Sequence, residues 1–85
     1  MPSEERSLTI IVNGVPATIE RNAHAPLKSV IEKALDETGN VGQPIENWEI
    51  RDGSGQILDM SKKISEFDFP DHVKLFLTLK AGIGG

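Results

Sequence analysis

One amphipathic helix, flanked on both sides by segments of a different period, most limits the folds open to this chain. Leu27, Val30, Ile31, Ala34 and Leu35 recur at i, i+3, i+4, i+7 and i+8, a single continuous stripe on a helix. Pro26 suits a first helical position, where a missing N–H costs nothing. Gly39 suits the left-handed residue beyond the last turn. Together they predict a helix over 26–38, and its one apolar stripe calls for one apolar surface to lie on.

The flanking segments supply that surface. Leu8, Ile10 and Val12 alternate with Thr9 and Ile11, the period of a strand. Asn13-Gly14 then gives a two-residue hairpin turn, because both residues tolerate positive φ. Val15 to Glu20 returns as a second strand with Val15, Ala17 and Ile19 on one face, and Pro16 belongs at the hairpin end or an open edge. After the helix and a loop over 40–47, Trp48 and Ile50 form a third strand whose other face carries Glu49 and Arg51. Asp52-Gly53-Ser54-Gly55 turns into a short fourth strand, Gln56-Ile57-Leu58. Ser61 to Phe67 reads as a single helical turn with Ser61 as its cap and Ile64 and Phe67 tucked under the sheet. Pro70-Asp71 leads into a last strand, Val73 to Lys80. The order β-β-α-β-β-short helix-β closes into a mixed sheet if the last strand pairs parallel to the first, with one helix covering one face, an α+β fold.

At 85 residues this is one small domain, and a chain of that size buries only about 60% of the surface its unfolded form exposes, which leaves little room for a deep cleft. The chain has no cysteine, which excludes a disulfide framework, a thiolate zinc site and a nucleophilic Cys and fits a reducing cytoplasm. A net charge of −4 argues against nucleic acid, whose partners carry a clustered basic face. No apolar run approaches the ~20 residues that span a bilayer, and Met1 to Arg6 is too polar for a signal peptide. A disordered lead over 1–7, a domain over 8–80 and a flexible tail over 81–85 are expected.

That tail, Ala81-Gly82-Ile83-Gly84-Gly85, offers little to pack and directly follows a strong strand. Two glycines have no Cβ and free φ, so they can thread a narrow enzyme channel and present a carboxyl group to an activating reagent. A frayed terminus is the competing reading.

In this order of elements the chain resembles ubiquitin and its relatives, the β-grasp modifiers, over about residues 8–85. More narrowly, it is similar to the small bacterial ubiquitin-like proteins encoded beside E1-, E2- and JAB-peptidase-like partners. Trp48-Glu49-Ile50-Arg51-Asp52, Gly55-Gln56-Ile57-Leu58-Asp59 and Leu75-Phe76-Leu77 running out through Lys80 to Gly84-Gly85 carry that likeness. The resemblance implies a ubiquitin-like β-grasp fold and a protein modifier. An E1-like enzyme would adenylate the Gly85 carboxylate with ATP and capture it as a thioester. An E2-like cysteine would receive it, and a target lysine would form the isopeptide, in a setting of antiphage defence. Gly85 and Gly84 would be the conjugation residues, with Gly85 already exposed, and Lys80, Ala81, Gly82 and Ile83 would be read by dedicated enzymes. Glu49 and Arg51 stand where ubiquitin's apolar recognition patch would lie, so Phe76, with Val15 from the hairpin, is the remaining candidate for an apolar partner contact.

Other residues carry less. His24 and His72 are the two histidines, placed in loops and expected to be solvated, so no metal site is expected. The Asp52–Gly55 turn could suggest a phosphate cradle, but no helix follows it to supply a dipole, and a plain turn is the expectation. Trp48 shares a face with Ile50 and is expected in the core or at its rim. No Ser-His-Asp set or carboxylate pair is evident, so no catalysis is assigned and the chain itself needs no cofactor, ATP being used by the activating enzyme. Two alternatives to the modifier stand: a ThiS/MoaD-type sulfur carrier using a C-terminal thiocarboxylate, and a non-conjugated interaction domain.

Overall fold

A computed structural model describes residues 7–40, 42–70 and 72–80. The expected disordered lead, apart from Ser7, and the whole expected tail over 81–85 lie outside the described residues.

Four strands, β1 (Ser7–Val12), β2 (Val15–Glu20), β3 (Trp48–Arg51) and β4 (His72–Leu79), form one sheet in the order β2-β1-β4-β3. The opening hairpin is antiparallel, β4 runs parallel to β1, and β3 is antiparallel to β4. Asn13 at φ 50° and Gly14 at φ 88° make the tight turn, both in the left-handed region that this hairpin type needs. The single helix α1 (Leu27–Glu37) buries all five stripe residues, Leu27, Val30, Ile31, Ala34 and Leu35. They meet Leu8, Ile10, Val12, Ala17, Ile19, Trp48, Ile50, Leu75 and Leu77 from one face of the sheet in one core, with Ile64 beneath. This is the mixed α+β architecture of a ubiquitin-like β-grasp.

The ends of α1 are closed in different ways. The first N–H groups of a helix have no partner inside it; here the Leu27 and Lys28 N–H groups donate to the carbonyls of Lys62 and Met60, both at 2.9 Å. The returning chain thus caps the helix without a capping side chain. Pro26 stands outside the first turn, extended at φ −70° and ψ 152°, one place earlier than its sequence position suggested. At the other end Gly39 takes φ 76°. Its N–H donates to the Asp36 carbonyl at 3.2 Å while the Asn40 N–H donates to the Leu35 carbonyl at 2.8 Å, a glycine-terminated Schellman closure.

Three local expectations are corrected. Gln56-Ile57-Leu58 is not a strand: Ile57 makes one isolated bridge to Arg51, and the Leu58 N–H donates to the Ile50 carbonyl at 2.9 Å. The two residues that could extend the ladder, Gly55 and Asp59, are taken up by turns of their own. Ser61 caps nothing; the 3₁₀ turn is Ile64–Phe67, and the Ser61 hydroxyl donates to Asp59 at 2.7 Å. His72 lies in β4, exposed, not in a loop.

Candidate functional site

Three features surround the end of β4 from which the glycine-bearing segment continues. The first is the anchorage of that end. The Lys80 N–H donates to the Asn47 carbonyl at 2.8 Å, one step past the β3–β4 ladder, and the Asn13 N–H of the hairpin turn donates to the Leu77 carbonyl at 3.1 Å. Both neighbours of β4 therefore grip it near its exit. Lys80 is exposed. Ala81, Gly82, Ile83, Gly84 and Gly85, the other tail and conjugation candidates, lie outside the described residues.

The second feature is the sheet face opposite α1. Residues paired across strands share a face, and the register sets Pro16, Ile11, Phe76 and Arg51 in one row across β2, β1, β4 and β3. Phe76 is 40% exposed there. Beside it the Arg51 guanidinium contacts the Glu49 carboxylate at 3.0 Å, so both charges lie outward as their alternation implied. Val15 is paired with Val12, a core residue, and so belongs to the α1 side of the sheet, exposed because it stands at the hairpin tip. The joint Phe76–Val15 contact is corrected: the register gives Phe76 the neighbours Ile11, Pro16 and Arg51 instead.

The third feature is a groove of about 560 Å³ along the open side of β3, with Ile45, Trp48, Ile57, Leu58 and Met60 as its apolar lining. Lys28, Glu46, Glu49, Asp59 and Lys80 stand around it. Trp48 is a core residue, 1% exposed, yet its indole Nε1–H has no acceptor among the described residues. A buried donor left without a partner costs about 1–3 kcal/mol. Sequence reasoning missed this groove. The available signal was the set of apolar residues after Asp52, Ile57, Leu58 and Met60, which follow neither a helical nor a strand period.

The turns bordering this region are self-satisfied. One Asp52 carboxylate oxygen accepts from the Ser54 N–H at 2.9 Å, the Ser54 hydroxyl at 2.7 Å and the Gln56 N–H at 3.0 Å. Its own carboxylate thus fills the place a phosphate would need. The Ser54 hydroxyl, then the Gln56 N–H, hold the Asp52 pKa below its ordinary value, and the Ser61 hydroxyl does the same for Asp59. Among the described residues no group of three or more His, Cys, Asp or Glu is placed to hold a metal ion, and no helix is long and apolar enough to cross a membrane. Sequence reasoning also passed over Arg21. Its guanidinium donates to the carbonyls of Phe69, Ser7 and Pro70, fastening the connection into β4 to the start of β1. No periodic or turn signal marks such an arginine.

Among solved structures the chain is similar to the Caldiarchaeum subterraneum ubiquitin, with a TM-score of 0.71 over 92% of this chain and 96% of that one at 17% identity. At that identity the likeness concerns the fold, which is that of a ubiquitin-like protein. Among curated proteins it is 49% identical over 78 residues to the uncharacterized protein y4jI of Sinorhizobium fredii (strain NBRC 101917 / NGR234). The alignment takes in 92% of this chain and 60% of that relative's length. The family model described as "Protein of Unknown function (DUF2604)" matches residues 2–85, and with nearly the whole sequence inside that match the chain belongs to the DUF2604 family.

Proposed function

We propose that this ubiquitin-like protein is a protein modifier activated at the carboxylate of Gly85. The observation that carries the reading is the fold together with the glycine pair: a β-grasp domain whose last strand, held on both sides, leads within six residues to Gly84-Gly85. The carboxylate attacks ATP and releases pyrophosphate, giving an acyl adenylate on an E1-like enzyme. An enzyme thiolate then displaces AMP to form a thioester, which passes to an E2-like cysteine. A target lysine amine finally expels that thiolate and forms the isopeptide. Each nucleophile must come within about 3–3.5 Å of the acyl carbon, and glycine leaves that approach open. From Lys80 the segment can extend on the order of 20 Å at ~3.3–3.6 Å per residue, far enough to carry the acyl group away from the domain. A product continuing past Gly85 is first cut there by a JAB-like peptidase. Antiphage defence, the setting the resemblance implies, belongs to the same reading.

Intact-mass and non-reducing gel analysis of the chain with ATP and an E1-like protein encoded beside it tests this, with a Gly85-deleted chain as control. The expected result is a thiol-sensitive adduct that needs both ATP and Gly85. A thiocarboxylate on Gly85 in protein isolated with its partners would replace the modifier with a sulfur carrier. Absence of any adduct with an E1-like protein of demonstrated activity would overturn activation altogether.

A further inference from the structure

We infer that the groove beside Trp48 is a docking site for the chain's own Ala81–Gly85 segment, with the Ile83 side chain seated among Ile45, Ile57 and Met60. The groove is apolar inside and its surrounding charges are of both signs, Lys28 and Lys80 against Glu46, Glu49 and Asp59. That mixture suits an occupant without charged side chains. Ala81-Gly82-Ile83-Gly84-Gly85 has none, and Ile83 is its one large apolar residue. Proximity points the same way. Lys80 itself lines the groove, and Ile83 follows three residues later, a reach of about 10 Å when extended. Gly82, with either sign of φ open to a glycine, would allow the chain to bend toward the groove within that reach.

Two further observations concern the groove's own groups. Ile57 is 55% exposed on its wall, apolar surface that an occupant would cover. The Trp48 Nε1–H has no acceptor among the described residues, and the segment brings a run of backbone carbonyls, one of which would accept from it as the wall side chains part. The docked segment would be withheld from an activating enzyme, so this inference adds a regulatory state to the proposed function. The docking itself does not depend on that function.

Trp48 is the sole tryptophan, so its indole N–H gives one resonance to follow in a nitrogen–proton correlation spectrum. Three labelled proteins are compared over a dilution series: the chain, the chain ending at Lys80, and Ile83→Asp. Docking predicts that the indole resonance of the intact chain lies at lower field than in the truncated chain. It also predicts that Ile83→Asp moves the resonance to the truncated position, and that none of the three changes on dilution. An indole resonance at one position in all three proteins overturns the inference. So does a resonance that responds to truncation but not to Ile83→Asp, because the groove would then be sensing only the chain end near Lys80. A shift that fades on dilution assigns the groove to a second copy and equally overturns it. No activating enzyme takes part, so a failed thioester assay leaves this result standing, and a failed docking result leaves the modifier reading intact.

Discussion

Substituting Leu75, Phe76 and Leu77 one at a time by alanine tests the assignment of sheet faces on which both surface readings rest. Leu75 and Leu77 are fully buried, whereas Phe76 between them is 40% exposed. Leu→Ala removes three carbon groups, worth about 0.8 kcal/mol each in transfer. The cavity left behind raises the total to about 3–4 kcal/mol. Completely burying a phenylalanine is worth about 1.5–3 kcal/mol. With 40% of Phe76 exposed, alanine there should cost about 1–2 kcal/mol by the same area scaling. A domain of this length has a total stability of about 4–13 kcal/mol, so either leucine substitution removes a large share of it and Phe76→Ala a small one. Urea unfolding followed by Trp48 emission reads the difference directly, because that indole moves from the core to water. With a urea slope of about 1–3 kcal/mol per molar, the leucine variants should lose one to several molar in midpoint, and Phe76→Ala clearly less. A loss at Phe76 equal to or larger than the leucine losses would refute the reasoning, since a one-residue slip of register exchanges the two faces and would bury Phe76 in place of the leucines.

Arg21→Met should destabilise the domain by about 2 kcal/mol, since hydrogen bonds to a charged donor are worth about 1.5–3 kcal/mol net and this one holds the carbonyls of Ser7, Phe69 and Pro70. Arg21→Lys should recover little of it, because an ammonium has no planar fork to span separate acceptors; a neutral Arg21→Met in urea unfolding would remove the arginine from the account. Asp52 and Asp59 both titrate below the ordinary carboxylate value of 3.8. Groups depressed on folding stabilise the folded state fully above the unfolded pKa and lose that contribution as pH falls through the folded one. Melting temperatures should therefore drop as pH is taken below about 3.8, and less steeply in the Asp52→Asn, Asp59→Asn double variant. An unchanged slope in that variant would place the acid sensitivity in other groups.

The parts of this fold that were legible are those in which a local period and a local stop signal agree. Leu27 to Leu35 ends on a glycine that takes positive φ; Asn13-Gly14 sits between two alternating runs; Leu75 and Leu77 flank an outward residue. Each is decided by backbone sterics and by which side faces water, quantities a short window of sequence contains. What escaped depends on chain segments distant in sequence. Pro26 and the helix start are set by the carbonyls of Met60 and Lys62, more than thirty residues on, which make a capping side chain unnecessary. Gln56–Leu58 has strand-like composition but meets β3 through a single bridge. Val15 alternates correctly with Ala17 and Ile19, yet the hairpin ends there and leaves it exposed. The apolar lining of the groove beside Trp48 lies within residues 45–60, but Lys28 from α1 and Lys80 from the end of β4 complete it, and neither falls in that window.

The placement of β4 connects the architecture to the proposed chemistry in a way its sequence position does not suggest. The last strand among the described residues is an inner strand of the sheet, paired along Ser7–Val12 with β1 on one side and along Trp48–Arg51 with β3 on the other. A tail drawn into an enzyme channel pulls on β4 from its C-terminal end, roughly along the strand axis. Under such a pull the ladder hydrogen bonds on both sides are loaded together in shear, whereas an edge strand lifted sideways would open one bond at a time. The bonds nearest the exit on each side, Asn13 N–H to Leu77 and Lys80 N–H to Asn47, bind β4 to different neighbours. On the proposed function, the domain would remain folded while the residues beyond Lys80 are handled. A modifier of the kind proposed would need a body that holds together while its end is handled, and the order β2-β1-β4-β3, with β4 paired on both sides, suits that need.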